Sequence, residues 1–424
     1  MSKKRWANLF VLIATCASLA VLVTHTAQKK AYALPLFARR LGVSCATCHT
    51  SPPRLNETGY KFRAAGYRMP EEIGKGGENK PFKLTDYSGV RLQARFDATR
   101  FRTGQDDDDR VHFNLFAAEF YTLYGPWGGN LSSNLKATIY PEESVDTENH
   151  LRVEGNLKLT LGNDKRFFEI RGGVPHPMEG FGASDVAITN TRPYFQETPA
   201  NFDQSTFFTP WNFHQAAVTV GYYQGRNSVR AMLLEGIRLH TDGQPFGRKE
   251  PFTEDAPLSK HPKPDFQLMA NRILHDNAGS VTLYYYHGNV TLPILDTKGG
   301  AFQNFFDRVA LYGSYPVKKV TLFGGVQRGR DDRVTGGRFT SLGAYGEATV
   351  PVFNDLTHAG VRYDWFDPAR GKSDNELRGL TAYINAWYRD QFRFVVEYQR
   401  RNQQRGLLAD KNDNAFQVRL IYVK

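Results

Sequence analysis

The sequence is poor in cysteine, methionine and tryptophan, and after its first segment it lacks long apolar runs. Of its 424 residues, 3 are Cys, 5 are Met and 5 are Trp. So few cysteines cannot form the disulfide framework of a small secreted protein. A mean hydropathy of −0.49, together with 23% charged residues, excludes a membrane protein built from many spanning helices.

The chain carries an excess of basic residues but no dense basic block. Its formal net charge is +11, and five of its Lys and Arg residues stand within residues 1–33, which contain no acidic residue. The remainder is only mildly basic, so we expect no nucleic-acid partner. Aromatic residues make up 13% of the chain, which argues against disorder and against a helical bundle. A polar chain rich in aromatics favours many β-strands with one polar face.

The N-terminus has the order of a secretory signal. A basic start is followed by a charge-free apolar run over residues 7–23 and by a small-x-small site that ends at Ala33. This order predicts a signal peptide, residues 1–33, cleaved after Ala33. An uncleaved anchor helix is the alternative, because the run is long for a signal peptide. Cleavage leaves only Cys45 and Cys48, and two cysteines in so long a chain point to a local task.

These two cysteines belong to the run Cys45-Ala46-Thr47-Cys48-His49. C-x-x-C-H is the attachment signature of c-type haem: the two thiols bond to the vinyl groups of the porphyrin, and the histidine becomes the proximal ligand of the iron. The alternatives are a zinc half-site, a vicinal disulfide and a redox dithiol. Zinc requires ligands that no other cysteine supplies, and a thioredoxin-type dithiol requires a βαβ context. The motif predicts one covalently attached haem c, with Cys45 and Cys48 as thioether sites and His49 as the proximal ligand.

The second axial ligand of the iron is open at this point. Met69 is a candidate distal ligand, because a thioether there would raise the reduction potential. The alternative is a methionine that only fills space beside the haem. The histidines that could serve instead are His112, His150, His176, His214 and His287. A five-coordinate or water-ligated iron is also compatible with the sequence.

The haem-bearing segment, residues 34–86, is short. About fifty residues are fewer than a free-standing cytochrome domain needs to bury its cofactor. Proline and glycine interrupt the segment, so only residues 56–67 predict a short helix and the rest predicts coil. We therefore expect another part of the chain to shelter the haem.

From residue 87 onward the sequence alternates between apolar and polar residues. Residues 90–96, 151–161 and 392–398 show the period-two pattern of strands with one face of each kind. About sixteen such segments of roughly ten residues follow one another, the length that a tilted strand needs to cross a bilayer. We predict an all-β fold for residues 87–424, a roughly 16-stranded antiparallel transmembrane β-barrel.

The connections between these segments alternate in length. Short ones such as residues 224–227 and 315–319 are separated by long polar ones such as 175–214 and 240–264. Outer-membrane barrels have short periplasmic turns and long outer loops. An even strand count then puts the haem segment on the periplasmic side or within the lumen, in the outer membrane of a Gram-negative bacterium. A soluble sandwich or propeller is the alternative, since its strands alternate too.

Charged side chains on the polar strand faces are expected to line the barrel lumen, where they could pair with haem propionates or simply line a pore. They are Arg91, Arg95, Arg152, Lys158, Arg171, Arg230, Arg362 and Arg393. The four aspartates at residues 106–109 fall in the predicted first outer loop, over residues 100–110, and could attract Fe²⁺. A solvated loop is the alternative for this acidic run.

The run ALPLFARRLGVSCATCH, residues 33–49, together with GYKFRAAGY, residues 59–67, resembles the fused monohaem cytochrome–porins of the outer membrane. The best-known members of that family are iron oxidases. The resemblance implies a one-haem cytochrome segment joined to a barrel of roughly sixteen strands. Arg40-Leu41 stands where iron-oxidase members tend to have Gln-Thr, so the electron donor stays open.

The function implied by this resemblance is electron transfer across the outer membrane. Electrons would pass from an extracellular donor, Fe(II) first among them, to a periplasmic carrier such as a soluble cytochrome, the activity of an Fe(II):cytochrome c oxidoreductase. Outer-membrane lipid would surround the barrel. The alternatives are an outward conduit to an extracellular acceptor and a solute porin with a haem-bearing plug.

Overall fold

The structure of the protein is a computed structural model. The residues it describes are 35–51, 54–75, 87–103, 106–139, 151–175, 191–197, 200–202, 205–207, 210–212, 215–237, 263–274, 279–293, 301–353, 356–372, 375–388, 391–405 and 408–423. The predicted signal peptide, residues 1–33, lies outside them. None of the helices within these ranges is long and apolar enough to cross a membrane.

The N-terminal part of the structure is short and irregular. Its elements are helix α1 (Pro35–Leu41), a 3-10 turn (Cys45–Thr47), strands β1 (His49–Ser51) and β2 (Arg54–Leu55), helix α2 (Glu57–Ala64) and a 3-10 turn (Pro70–Glu72). The predicted short helix corresponds to α2. Helix α1 was not predicted, because seven residues beside an apolar signal give too little periodic pattern to read.

The rest of the chain is built mainly from strands. In chain order they are β3 (Gly89–Thr103), β4 (Asp106–Gly128), β5 (Leu131–Ile139), β6 (Leu151–Gly162), β7 (Arg166–Gly173), β8 (Ala200–Phe202), β9 (Ser205–Phe207), β10 (Ala217–Gln224), β11 (Asn227–Leu234), β12 (Asp265–Ile273), β13 (Ser280–Pro293), β14 (Ala301–Val317), β15 (Val320–Asp332), β16 (Arg338–Pro351), β17 (Thr357–Asp367), β18 (Leu377–Tyr388), β19 (Phe392–Arg405) and β20 (Leu408–Val423). Helix α3 (Tyr194–Glu197) and a 3-10 turn (Pro210–Asn212) flank the small β8–β9 hairpin.

All of these strands except β8 and β9 join into one closed antiparallel barrel of sixteen strands. Each strand pairs with its sequence neighbour in the barrel, and β7 pairs with β10 across the β8–β9 insertion. The last strand closes the barrel on the first, with Val418 opposite Phe96. The predicted fold class and strand count are confirmed.

The two faces of the barrel wall differ in polarity. Outward positions hold exposed apolar side chains such as Val218, Leu322 and Leu380, which are 56%, 44% and 49% exposed. Inward positions hold buried polar side chains such as Lys158 and Arg171. A continuous exposed apolar belt would make a soluble protein aggregate, whereas it matches the hydrocarbon core of a bilayer. The alternative of a soluble sandwich or propeller is therefore wrong, and the barrel belongs in an outer membrane.

The ends of the barrel also differ, as predicted. At one end short turns join the strands, for example the two-residue turn Gly225-Arg226 between β10 and β11, where Gly225 has a φ of +56°. At the other end part of the predicted long loops is strand, because β3 with β4, β15 with β16 and β19 with β20 continue as paired ribbons. Residues 106–109 accordingly lie in β4 and not in a loop. Both faces of a ribbon beyond the membrane are polar, so alternation does not reveal it.

The described part of the predicted loop 175–214 folds into the lumen instead of lying outside. We call residues 191–197, 200–202, 205–207 and 210–212 the inserted loop. Trp211 is fully buried and donates its Nε1–H to Gln327 Oε1 at 2.8 Å. Arg362 donates to the carbonyl of Thr191 at 2.8 Å. The aromatic residues of this loop supply the apolar surface that keeps it inside the barrel.

Candidate functional site

The N-terminal segment fills the lumen at the end with the short turns. We call its described residues, 35–51 and 54–75, the plug. Tyr60, Ala64, Ala65 and Ile73 of the plug form one buried apolar cluster with the barrel residues Phe167, Tyr223 and Ile273. The hydroxyl groups of Tyr60 and Ser228 form a hydrogen bond of 2.9 Å beneath this cluster. By the usual topology of such barrels, this is the periplasmic end.

Basic side chains tie the C-terminal end of α2 to the barrel wall. Lys158 of β6 donates its Nζ–H groups to the carbonyls of Arg63 and Ala64 at 2.8 and 3.3 Å. These carbonyls are among the last of the helix, and that of Arg63 also accepts the backbone N–H of Gly66 at 3.2 Å. A cation at this end provides further hydrogen-bond donors and interacts favourably with the helix dipole. Arg68 donates to the carbonyl of Leu131 at 2.6 Å, and burial lowers the pKa of its guanidinium.

Arg54 anchors the opposite side of the plug. Its Nη2 lies 2.9 Å from both carboxylate oxygens of Glu347 on β16, and its guanidinium carbon lies 3.5 Å above the ring centroid of Phe323. Burial opposes the charge of Arg54, but the adjacent carboxylate of Glu347 outweighs it and raises the pKa of the guanidinium above its usual value. Tyr383 donates a further hydrogen bond to Glu347 Oε1 at 2.5 Å. Loss of either member of such a pair leaves a buried charge without its counter-charge.

The predicted haem-attachment loop is held by one side chain, that of Asn56. Its Nδ2 donates to the carbonyls of Ala46 and Thr47 at 3.1 Å each, while its backbone N–H donates to the carbonyl of Cys48 at 2.9 Å. Its Oδ1 accepts the backbone N–H of Gly59 at 3.0 Å and so caps α2. Asn56 therefore fixes the loop to the start of the helix. An asparagine before a helix is a recognisable cap signal, whereas the bonds of Asn56 to the loop have no signal in the sequence.

Helix α2 packs directly on the attachment loop at Gly59. A Cβ at this position would lie 2.1 Å from the carbonyl oxygen of Cys48, so only glycine allows the contact. The loop is short, and its closeness to the helix leaves its backbone little freedom. The start of α2, which follows the loop in the chain, therefore fixes the backbone of the two cysteines and the histidine without a bound cofactor.

The donor atoms of the loop suit a c-type haem. The ring Nδ1 of His49 lies 3.2 Å from the carbonyl oxygen of Arg54. A carbonyl only accepts hydrogen bonds, so this contact favours the tautomer with hydrogen on Nδ1 and leaves Nε2 as the nitrogen that could ligate an iron. The Cys48 side chain is partly buried, and burial raises the pKa of its thiol. The side chain of Cys45 lies outside the described residues. The thiol of Cys48 and an imidazole whose Nδ1 is engaged by a carbonyl are the donor types that covalent attachment and axial ligation of a haem require.

Met69, the candidate distal ligand, is partly buried and lies beyond the C-terminal end of α2. The attachment loop is bound at the N-terminal end of the same helix, and eight residues of α-helix span about 12 Å. Met69 and His49 thus belong to the segments that follow and precede α2 in the chain. Ligation of the iron by Met69 stays a prediction.

The histidines proposed as alternatives are placed as follows. His287 lies on the outer surface of β13, with 48% of its side chain exposed, so it faces away from the lumen. His150, His176 and His214 fall outside the described residues, as does the side chain of His112. His358, which the sequence analysis did not single out, is a buried lumen-facing imidazole near the short-turn end of β17. The ranges described contain no group of three or more His, Cys, Asp or Glu side chains that could hold a metal ion.

The predicted lumen-lining cations face inward wherever their side chains are described. Lys158, Arg171, Arg230, Arg362 and Arg393 are buried in the wall, and Arg91 and Arg95 are partly buried. Arg152 lies in β6, but its side chain is outside the described residues. Several of these cations already have carboxylate partners, since Arg91 pairs with Glu119, Arg95 with Asp97 and Lys158 with Glu169.

Replacement of Asn56 is expected to release the attachment loop. In Asn56→Ser the hydroxyl still caps α2 but is too short to reach the carbonyls of Ala46 and Thr47. In Asn56→Ala both functions are lost. Both variants lose two hydrogen bonds to the loop, each worth about 1 kcal/mol net. We therefore expect the amides of residues 45–49 to exchange about tenfold faster or more in both variants. Amides of α2 should exchange about fivefold faster in the alanine variant alone.

Hydrogen exchange followed by mass spectrometry on the purified protein checks this. Asn163→Ser is a matched control, because Asn163 makes similar bonds to the backbone N–H groups of Lys165 and Arg166 in a turn of the barrel. It should leave residues 45–49 unchanged. Unchanged exchange of these residues in Asn56→Ser would show that Asn56 does not hold the loop.

Solved outer-membrane channels share this fold at low sequence identity. An anion-selective porin from Comamonas acidovorans has a TM-score of 0.53 and 12% identity, over 80% of this chain and 99% of that one. OmpT of Vibrio cholerae with a deleted loop gives 0.50 and 13%, over 80% and 100%. The outer membrane channel DcaP of Acinetobacter baumannii gives 0.50 and 10%, over 81% and 99%. No family model and no curated protein matches the sequence.

At these identities the likeness shows the fold alone. The chain is an outer-membrane β-barrel of porin-like architecture, with membrane lipid around it. Its own N-terminal segment and its inserted loop occupy the lumen.

Proposed function

We propose that this protein transfers electrons across the outer membrane and carries one covalently attached haem c on its plug. The observation that supports the proposal most is that Asn56 joins the Cys45–His49 loop to α2, the helix that packs against the barrel wall at the short-turn end. A haem attached to Cys45 and Cys48, with His49 as proximal ligand, would take up and release one electron at a time. The plug residues hold the loop in place and exclude bulk water from its helix side.

The donor we propose first is extracellular Fe(II), which loses one electron to become Fe(III). A soluble periplasmic carrier would accept that electron at the short-turn end, where the plug lies. This direction makes the protein an Fe(II):cytochrome c oxidoreductase. The same arrangement would carry electrons outward to an extracellular acceptor if the potentials of the two partners were reversed.

A second candidate is a solute porin that uses the haem segment as a plug. The likeness in fold to an anion-selective porin favours it, as does the excess of basic side chains in the wall. The plug contacts argue against a permanently open pore, because they reach the wall on opposite sides, at Lys158 on β6 and at Glu347 on β16. A porin would have to displace them to conduct.

An anaerobic optical spectrum of the detergent-purified, air-oxidised protein tests the proposal, before and after addition of Fe(II). A c-type spectrum whose reduced α-band appears on mixing is the expected result. If other reductants change a c-type spectrum but Fe(II) does not, the protein carries the haem and Fe(II) is not its electron donor. Absence of any haem band would overturn the proposal and leave the porin.

A further inference from the structure

The outer surface of the barrel carries arginines where the strand pattern alone would place apolar residues. On β15 the outward side chains Leu322 and Val326 are 44% and 49% exposed. The next two outward positions are Arg328 and Arg330, both exposed. β15 starts at the short-turn end, so these arginines border the apolar belt on its extracellular side. They face the outer leaflet of the membrane.

Pairing across the sheet defines their surroundings. Arg328 lies between Val309 on β14 and Leu342 on β16, and Val309 is itself 46% exposed. Arg330 lies opposite Asp307. Arg328 is therefore flanked by apolar side chains, while Arg330 stands one step further toward the extracellular end.

The nearby carboxylates are already engaged by other groups. Asp307 contacts His287 Nδ1 at 2.8 Å and accepts the hydroxyl of Tyr285 at 3.1 Å. Asp332 accepts a hydrogen bond from Arg338 Nε at 2.8 Å. Within the part of the chain that the structure describes, the side chains of Arg328 and Arg330 make no hydrogen bond or ion pair.

Two cations at the edge of the hydrocarbon region require counter-charges. An arginine on a lipid-facing wall is costly at depth, and its cost falls when its head reaches the polar headgroups. Residues two positions apart in a strand lie on the same face, so the two side chains are about 7 Å from each other. The planar guanidinium matches phosphate better than any other lipid-borne group, since it can donate two parallel hydrogen bonds.

We propose that Arg328 and Arg330 bind the phosphate groups of a glycolipid in the outer leaflet. The acyl chains of this lipid lie along the exposed apolar side chains below, which include Leu311, Leu322 and Val326. Val309 pairs with Tyr285 on one side and with Arg328 on the other, so Tyr285 and Arg328 lie at the same height on the outer wall. This is the height at which interfacial aromatic residues face lipid headgroups. A membrane lipid fits this site better than a soluble anion because half of the site is apolar. The proposal does not depend on the haem.

Binding of bis-phosphorylated lipid A to the full-length protein in neutral detergent tests this, with the dephosphorylated lipid as the comparison. Native mass spectrometry gives the bound fraction. The double variant Arg328→Gln, Arg330→Gln should bind the phosphorylated lipid roughly twentyfold more weakly, at about fivefold for each arginine near a membrane surface. Arg272→Gln is the matched control, since Arg272 is exposed and outward at the opposite rim of β12. It should bind as the unmodified protein does.

Four results would overturn the proposal. One is equal binding by the double variant, and another is equal binding of the dephosphorylated lipid. The third is a changed number of subunits in the double variant, because a second copy of the chain would then cover the surface. Inorganic phosphate should not compete, and competition at equal concentration would assign the site to a soluble anion. Heat-dependent migration on a gel confirms that each variant has folded as a barrel.

Discussion

Deletion of residues 34–86 is expected to convert a closed barrel into a conducting channel. The unmodified protein should pass little current in a planar bilayer, because the plug contacts the wall on opposite sides at the periplasmic end. The deletion removes all the contacts of Tyr60 and Arg54 at once. The inserted loop remains, and its contacts reach β15 through Gln327, β17 through Arg362 and β19 through Glu397. The open path should follow β20, β3 and β4, where Arg419 and Arg91 face inward, and so favour anions.

Single-channel recording with a salt gradient measures both the conductance and the ion preference. Arg54→Ala is a graded version of the same test, because it leaves Glu347 buried without its counter-charge, a loss of about 3–5 kcal/mol for such pairs. It should produce brief openings and not a steady current. Arg328→Gln on the outer wall is the control and should stay closed. Steady conductance of the unmodified protein, or a deletion variant that stays closed, would contradict the role of the plug.

The barrel could be predicted from the sequence because its physical cause is local. Lipid on one side of the wall and polar groups on the other force alternation at every strand, and short turns such as Gly225-Arg226 separate the strands clearly. The extended ribbons above the membrane could not be predicted. Residues 106–109 are four aspartates in succession, so nothing in their order distinguishes a strand from a loop.

Haem attachment at the C-x-x-C-H motif stays a prediction from the sequence, and the place of the motif in the fold could not be predicted. Spacing alone identifies Cys45, Cys48 and His49 as residues that act together. The contacts of Asn56 with the loop and of Arg54 with Glu347 join residues that the chain separates by very different lengths. The contact of Arg54 with Glu347 depends on closure of the whole barrel, and no local sequence pattern indicates which residues closure brings together. The position of the inserted loop could not be predicted either. Its aromatic residues are also common in surface loops, and only the closed barrel provides the lumen in which they are buried.

The variant Cys45→Ala, Cys48→Ala is expected to lose all covalently bound haem, while the barrel still folds. Thioether bonds need both sulfur atoms, so no other side chain can replace them. Haem-dependent peroxidase staining after denaturing electrophoresis should fall from full to none, and the intact mass should fall by that of one haem. Cys16→Ser is the matched control, because this cysteine lies in the predicted signal peptide and should not matter for the mature protein. A haem stain that survives loss of both cysteines would contradict the attachment site.

His49→Ala separates attachment from ligation. The two thioether bonds can still form, so the haem stain should persist at a reduced level, but the iron loses the ligand whose orientation Arg54 fixes through its carbonyl. The reduced α-band should weaken and shift toward that of a high-spin iron, and the reduction potential should change. Met69→Leu provides the comparison, since it removes the thioether and keeps the volume. If Met69 ligates the iron, the potential should fall in that variant while the His49 contact stays intact. An unchanged spectrum in His49→Ala would mean that another side chain holds the iron, and the buried imidazole of His358 would be the next residue to replace.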